Sequence, residues 1–220
     1  MKIVVFDFDG TLTEKRGNLW RKIWQELGYD VGPSSYYFEL LNDFLNGKID
    51  YELWCELTCK AFQEKRFSKQ KFLQMIKEIS LMPGAKELIE RLSLKGVELH
   101  IVSGNFVSAI KNTLGESEKY ITGIKANEFV FDQKGLLSEI VGTKYDFKGK
   151  ARYIKELCDK KRINANEILF VGNSINDEWA YKSGAKTLCV NPDEADCQNS
   201  TIWNKVIYTD NLLDLEKEID

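Results

Sequence analysis

Asp7 and Asp9 stand two residues apart in the run Asp7-Phe8-Asp9-Gly10-Thr11, directly after the apolar stretch KIVVF at residues 2–6. If that stretch is a strand, its two-residue period puts both carboxylates on one side. Gly10 lets the chain turn sharply beyond them. Two crowded carboxylates repel each other, and a hard cation such as Mg²⁺ relieves the repulsion with oxygen ligands. A capping aspartate followed by a turn aspartate has the same spelling, so the pair needs company before it means chemistry.

Three further features supply that company. Ser103-Gly104 follows the apolar run Val97–Val102, where a hydroxyl and backbone N–H groups can hold a phosphate at the start of the next helix. Lys148 opens a helical pattern and can neutralise phosphate charge. Gly172-Asn173-Ser174-Ile175-Asn176-Asp177 follows the run Ile168–Val171 and offers oxygen ligands, or partners to ligands, for a metal. A helix cap, a solvated lysine and a turn would explain each one alone. Their order, each tied to a strand end or a helix start, argues for one site.

The elements that must position these residues are legible as strand–helix alternation. Apolar β-branched runs at 2–6, Val97–Val102, Ile168–Val171 and Thr187–Val190, with a weaker one at Val206–Tyr208, fit strands covered on both faces of a parallel sheet. Ala85, Leu88, Ile89 and Leu92 have helical spacing, with Pro83-Gly84 before and Gly96 after them. Lys148–Lys161 reads as another helix, and residues 129–141 as a hairpin turning at Gly135. The expected class is α/β with a parallel, Rossmann-like sheet.

Residues 14–80 break the alternation with four helical patterns and no convincing strand. The first carries Trp20, Ile23, Trp24 and Leu27, with Asn18 as N-cap. The second carries Phe38, Leu41 and Leu45, and the third Leu53, Leu57 and Ala61. Ser68 caps a fourth whose apolar face is Phe72, Met75, Ile76 and Ile79. We read a small all-helical cap (14–80) inserted after the first strand of a core formed by 1–13 and 81–220.

Composition narrows the chemistry. The chain of 220 residues has a net charge of −3, which argues against bulk attraction to nucleic acid. No apolar run approaches the roughly 18–20 residues of a membrane span. The N-terminus lacks a secretory pattern, so a cytoplasmic location is expected. Cys55, Cys59, Cys158, Cys189 and Cys197 form no C-x-x-C pair and read as reduced thiols. The single histidine, His100, lies inside an apolar run and reads as a packing residue. Carboxylates are left to do the chemistry.

Taken together, DFDGT, IVSG, YDFKGKARYI and VGNSINDEWAYKSGA resemble, in order, the four motifs of the haloacid dehalogenase superfamily, closest to the branch with a phosphoserine phosphatase-like helical cap. The resemblance implies a Rossmann-like core with strand order 5-4-1-2-3. It implies a phosphatase acting on a small phosphate monoester, with Asp7 as nucleophile forming an aspartyl-phosphate and Asp9 as acid and base. It further implies Mg²⁺ held by Asp7, the Asp9 carbonyl and motif-four side chains, with Asn173 and Asp177 as candidates. Ser103, Gly104 and Lys148 would hold the phosphate, and Thr11 would do so in a lesser role. Asp9 argues against carbon–halogen cleavage, since a departing halide needs no acid.

Two positions depart from the family pattern. Asn173 stands where an aspartate usually binds metal, and its amide oxygen brings no charge. Arg16 falls, by spacing, where phosphoserine phosphatases place a glutamate for the substrate ammonium, which argues against phosphoserine. Arg16 and Trp20 are therefore candidate specificity residues. Between Lys60 and Lys77 lie six basic residues and one acidic one, a stretch read as a solvated face. Trp20, Trp24 and Trp54 read as cap core before pocket wall. Two alternatives to a hydrolase remain at this point: a phosphotransferase using the same intermediate, and a degenerate member that only binds a phosphorylated ligand.

Overall fold

The computed structural model describes residues 1–14, 18–192 and 200–219. The first strand, β1 (Ile3–Phe6), is buried at every position, as a strand covered on both faces must be. It lies at the middle of a seven-stranded sheet. The other strands are β2 (Glu98–Phe106), β3 (Gly123–Phe131), β4 (Leu137–Val141), β5 (Ile168–Gly172), β6 (Lys186–Val190) and β7 (Lys205–Ile207). Their order is β4-β3-β2-β1-β5-β6-β7. Every pairing is parallel except that of β3 with β4. Without the hairpin strand and β7, the sequence β3-β2-β1-β5-β6 is the order implied by the family resemblance.

Helices α5 (Ala85–Leu94), α6 (Val107–Leu114), α7 (Lys148–Lys161), α8 (Glu178–Lys182) and α9 (Glu216–Ile219) alternate with these strands. α5 buries Ala85, Leu88, Ile89 and Leu92, the face its spacing predicts. β3 begins earlier than expected. Its first half pairs with β2 and its second half turns back as the hairpin, with Gly135 at φ 75° in the turn. β2 also runs on past Val102 to Phe106, through an irregular register against β3.

Between β1 and α5 the chain forms α1 (Leu19–Glu26), α2 (Tyr36–Leu45), α3 (Tyr51–Glu64) and α4 (Lys69–Ile76). Asn18 and Ser68 cap as predicted, accepting from the N–H groups of Trp20 and Lys71. The chain leaves and re-enters the sheet region through an antiparallel bridge between Thr13 and Leu81. Backbone bonds from Glu14 N–H to Ser80 and from Met82 N–H to Leu12 flank that bridge.

Two inward faces differ from those expected. α2 buries Tyr37 and Leu40, while Leu45 is 56% exposed. α3 buries Trp54, Cys55, Thr58, Cys59, Ala61 and Phe62 and leaves Leu53 at the surface. The cause is that α3 packs on two sides. Trp54 and Phe62 enter the helical core, while Cys59 faces β4 and its Sγ approaches the Ser138 carbonyl at 3.9 Å. A helix with two partners buries a broad arc, and no single stripe predicts it.

The helical segment does not keep its hydrophobic core to itself. Trp20, Trp24, Trp54, Phe62, Phe67 and Phe72 form one cluster with Phe106, Ala109, Leu137 and Ile140. Phe129 stacks on Phe106 at 3.8 Å and meets Phe72 edge-on at 5.0 Å. Burying each large ring stabilises the fold by about 1.5–3 kcal/mol. His100 is buried as expected. Its Nδ1 meets Tyr153 Oη at 2.9 Å and its Nε2 meets Glu98 at 3.0 Å. The cysteines among the described residues are free thiols. No described helix is long and apolar enough to cross a membrane.

Candidate active site

Parallel pairing decides where the chemistry gathers. Phe6 is in register with Ile101 on one side and with Val171 on the other. The residues just beyond these partners therefore share one edge of the sheet, where the chain order switches direction around β1. Asp7, Asp9, Ser103, Gly104, Asn173, Ser174 and Asn176 line a cavity of about 430 Å³ there. Glu14, Asn18, Trp20, Asp146 and Phe147 complete its wall. A larger cavity of about 780 Å³ lies between α3 and β4 and includes none of the motif residues.

Asp7 is buried, and its backbone N–H donates to the Val171 carbonyl at 2.8 Å, which anchors it to β5. Its Oδ1 accepts from a lysine ammonium at 3.2 Å, and that lysine is Lys150. This corrects the assignment of Lys148. Two residues along a helix amount to roughly 200° of rotation. Lys150 falls in phase with the buried Tyr153, Ile154 and Leu157, while Lys148 falls on the opposite, exposed side. The Lys148 ammonium lies 5.3 Å from the Trp179 ring instead.

Asp177 has a place unlike the one its motif suggests. It is fully buried beneath the cavity and does not line it. Its Oδ1 accepts from Lys150, and its Oδ2 accepts the N–H groups of Asn173 (2.9 Å) and Ser174 (3.1 Å). These bonds occupy the carboxylate and shape the loop after β5. Gly172 makes room for it, since a Cβ there would sit 2.5 Å from Asp177 Oδ2. Thr11 is likewise buried away from the cavity, and its hydroxyl donates to Asn173 Oδ1 at 3.2 Å.

Ser103 and Gly104 line the cavity, but not at a helix start. They belong to the irregular end of β2, and α6 begins only at Val107. The Gly104 carbonyl is held from two sides, by Trp20 Nε1–H at 2.8 Å and by Asn127 Nδ2–H at 2.6 Å. Trp20 is thus both cavity wall and brace, packed against Trp54 and Phe106 at 4.7 Å each. Trp24 and Trp54 are core. Arg16 lies outside the described residues.

Four residues unremarked in the sequence join the site. Asn105 donates to Asp9 Oδ1 at 2.7 Å and fixes that carboxyl. Asn127 ties the hairpin to Gly104. The Tyr51 hydroxyl of α3 reaches Asn127 Oδ1 at 3.1 Å and Asp146 Oδ2 at 3.4 Å. Asp146 faces Gly104, where any Cβ would fall 2.3 Å from its Oδ2. Asn105 directly follows the Ser-Gly pair and Asp146 sits inside the lysine motif, so proximity could have flagged both. Tyr51 and Asn127 carry no local signal, being 76 residues apart.

The electrostatics show a site short of positive charge. Burial pushes the Asp7 carboxyl up to about 8; Lys150 opposes the rise, and Asp177 and Asp9 add to it. Burial pushes Asp9 up to about 6, against the bond from Asn105 and the charge of Lys150. For Lys150, burial alone would lower the proton affinity, but Asp177, Asp7 and Asp146 outweigh it and hold the ammonium charged. A divalent cation would lower both raised carboxyls. Among the described residues no group of three or more His, Cys, Asp or Glu side chains converges as a metal cage. Of the ligands the family resemblance implies, the Asp7 carboxyl, the Asp9 backbone and the Asn173 amide belong to residues that line this cavity. Such a sparse oxygen set fits Mg²⁺, which keeps several waters and uses one or two carboxylates beside substrate phosphate.

Comparison with known proteins agrees with this frame. The model of the haloacid dehalogenase-like hydrolase family matches residues 1–184. A probable phosphoserine phosphatase of Schizosaccharomyces pombe is 27% identical over 80% of this chain and 56% of the relative. The phosphoserine phosphatase of Archaeoglobus fulgidus is 26% identical over 88% of this chain and 53% of the relative. The chain thus spans about half the length of these two relatives. The solved structure of a phospho-aspartyl intermediate analogue of phosphoserine phosphatase superposes with a TM-score of 0.74 at 23% identity, covering 100% of this chain and 99% of that one. That likeness establishes the fold.

Proposed function

Since the chain belongs to the haloacid dehalogenase-like hydrolases, we propose that it hydrolyses a small phosphate monoester through an aspartyl-phosphate on Asp7. The observation that carries this reading is the buried Asp7 carboxyl, held by Lys150 at 3.2 Å and lining one small cavity together with Ser103 and Gly104. In this reading residues 1–13 and 81–220 form the catalytic body and 14–80 the cap, a division supported by the Thr13–Leu81 bridge at the neck.

The chemistry follows from the placement of each group. Lys150 fixes the rotation of the Asp7 carboxylate and offsets its charge as a phosphate approaches. Ser103 and the backbone around Gly104 orient the phosphate, and the bonds from Trp20 and Asn127 keep that backbone from swinging. An Asp7 oxygen attacks phosphorus, and the bond to the ester oxygen breaks. Asp9, with a proton affinity raised toward neutrality, gives its proton to that leaving oxygen. The alcohol departs, water attacks the acyl phosphate, and Asp9 takes the proton from the water. Free phosphate leaves and Asp7 is restored. Mg²⁺, held by the Asp7 carboxylate, the Asp9 backbone carbonyl and Asn173, would supply positive charge to the phosphate oxygens. Asn173 brings no charge of its own, and its amide oxygen is oriented by Thr11.

The test is hydrolysis of 4-nitrophenyl phosphate with and without Mg²⁺, in the wild type and in Asp7→Asn. The expected result is Mg²⁺-dependent release of phosphate that falls by several orders of magnitude in Asp7→Asn. The variant protein should stay folded and be more stable than the metal-free wild type, because a buried carboxyl with raised proton affinity has been replaced by a neutral isostere. Near-normal turnover in Asp7→Asn would overturn the mechanism.

A further inference from the structure

Asp146 lies in the wall of the cavity proposed to take a phosphate, where burial raises its proton affinity and a negative charge on it would repel the ligand. Three local features nevertheless hold it there. Its Oδ1 accepts the Phe147 N–H at 2.8 Å, and Phe147 adopts φ 46°, a left-handed conformation strained for any residue with a side chain. Its Oδ2 faces position 104, which has room for it only as glycine. The Tyr51 hydroxyl approaches the same oxygen at 3.4 Å. A strained backbone, a missing Cβ and a hydroxyl from another element all converge on one side chain.

The charge of Lys150 acts on Asp146 at a distance and accounts for only part of this. Lys150 already contacts Asp7 and Asp177, and no hydrogen bond joins it to Asp146. Asp146 instead shares the cavity wall with Phe147 and Trp20. It is also close enough to Asp9 to raise that carboxyl's proton affinity. Asp9, the group assigned to the leaving oxygen, lines the same cavity as Asp146.

We propose that Asp146 is a specificity-determining residue that accepts a hydrogen bond from an O–H or N–H donor on the leaving alcohol. The inference rests on the phosphatase reading above and deepens it. The preferred substrates are monoesters whose alcohol bears a hydroxyl or an ammonium near the ester oxygen. A purely apolar alcohol would leave the carboxylate's remaining lone pairs facing phosphate without the further donor that a hydroxyl or ammonium brings.

Three matched esters separate the possibilities: 2-hydroxyethyl, 2-aminoethyl and propyl phosphate. Each is assayed with Mg²⁺ in the wild type, Asp146→Ala and Asp146→Asn, with thermal melts to confirm folding. The wild type should prefer a donor-bearing ester to propyl phosphate. Asp146→Ala should lower kcat/KM for that ester at least tenfold more than for propyl phosphate. Asp146→Asn keeps an acceptor oxygen and should lose less than the alanine variant. A selective loss on the hydroxyl ester identifies a hydroxyl donor, and one on the amino ester an ammonium. Equal losses on all three esters would make Asp146 a positioning residue for Lys150 and overturn the proposal. So would a wild type that shows no preference. Hydrolysis of 4-nitrophenyl phosphate by the wild type tells either failure apart from failure of the phosphatase reading itself.

Discussion

At the scale of the residue, the two lysines at the start of α7 make a sharp contrast. Lys150→Met leaves Asp7 and Asp177 buried without their shared counter-charge, and breaking such a pair costs about 3–5 kcal/mol. Turnover should fall by roughly 10²–10³-fold, the scale seen when one preorganised electrostatic group is removed from a reacting centre. Lys148→Met should change stability by less than about 0.5 kcal/mol, as surface substitutions do. Urea denaturation and steady-state assays of the two variants check this, and a larger activity loss in Lys148→Met would reverse the assignment. The distinction was present in the sequence as phase, because Lys150, Tyr153, Ile154 and Leu157 share a helix face. Reading the motif by its first lysine hid it. Asp177 was hidden for another reason: a motif shows which residue types recur, while the direction of a carboxylate depends on which backbone N–H groups the loop turns toward it.

At the scale of elements, strands and caps were legible where one local rule decided the outcome. β1 and β5 are unbroken apolar runs, and Asn18 and Ser68 cap as their side chains dictate. The inward faces of α2 and α3 were not legible, because each is set by what lies across from it. The β3–β4 hairpin was foreseen, but not its role of carrying Asn127 and the phenylalanines against the helical segment. That shared core has a mechanical consequence. Phe72 is 1% exposed and touches Phe67 of its own segment as well as Phe106 and Phe129 of the sheet. Phe72→Ala should cost about 3–5 kcal/mol. Tryptophan fluorescence and far-ultraviolet dichroism should still report one coincident transition, since the helices and the sheet bury the same rings. Two separated transitions would show that the helical segment has a core of its own.

At the scale of the whole molecule, the site's charge couples folding to metal and to pH. Asp7 and Asp9 hold their protons in the metal-free fold up to about 8 and about 6, whereas an unfolded aspartate releases its proton near 4. A folded-state proton affinity above the unfolded one stabilises fully below the unfolded value, and the gain is lost as pH rises through the folded value. The metal-free protein should therefore lose stability between about pH 4 and 8 from these two groups. Mg²⁺ bound by the Asp7 carboxylate must displace its proton, and the ion's charge disfavours the proton on Asp9, so it should bind more tightly as pH rises. Its shift of the melting temperature should be larger at pH 8 than at pH 6; an equal or smaller shift at pH 8 would show that the ion does not compete with these protons. A last consequence belongs to the margins of the sheet. β7, at one margin, is only three residues long. At the other, the Ser138 carbonyl of β4 is met by Gln63 Nε2–H of α3 at 2.8 Å. An unshielded strand margin is a template on which a second chain can add its own strand, the first step toward fibrils. The helix that carries Tyr51 to the active site thus also screens the sheet from self-association, so substitutions that loosen α3 to admit a larger substrate would trade selectivity against solubility.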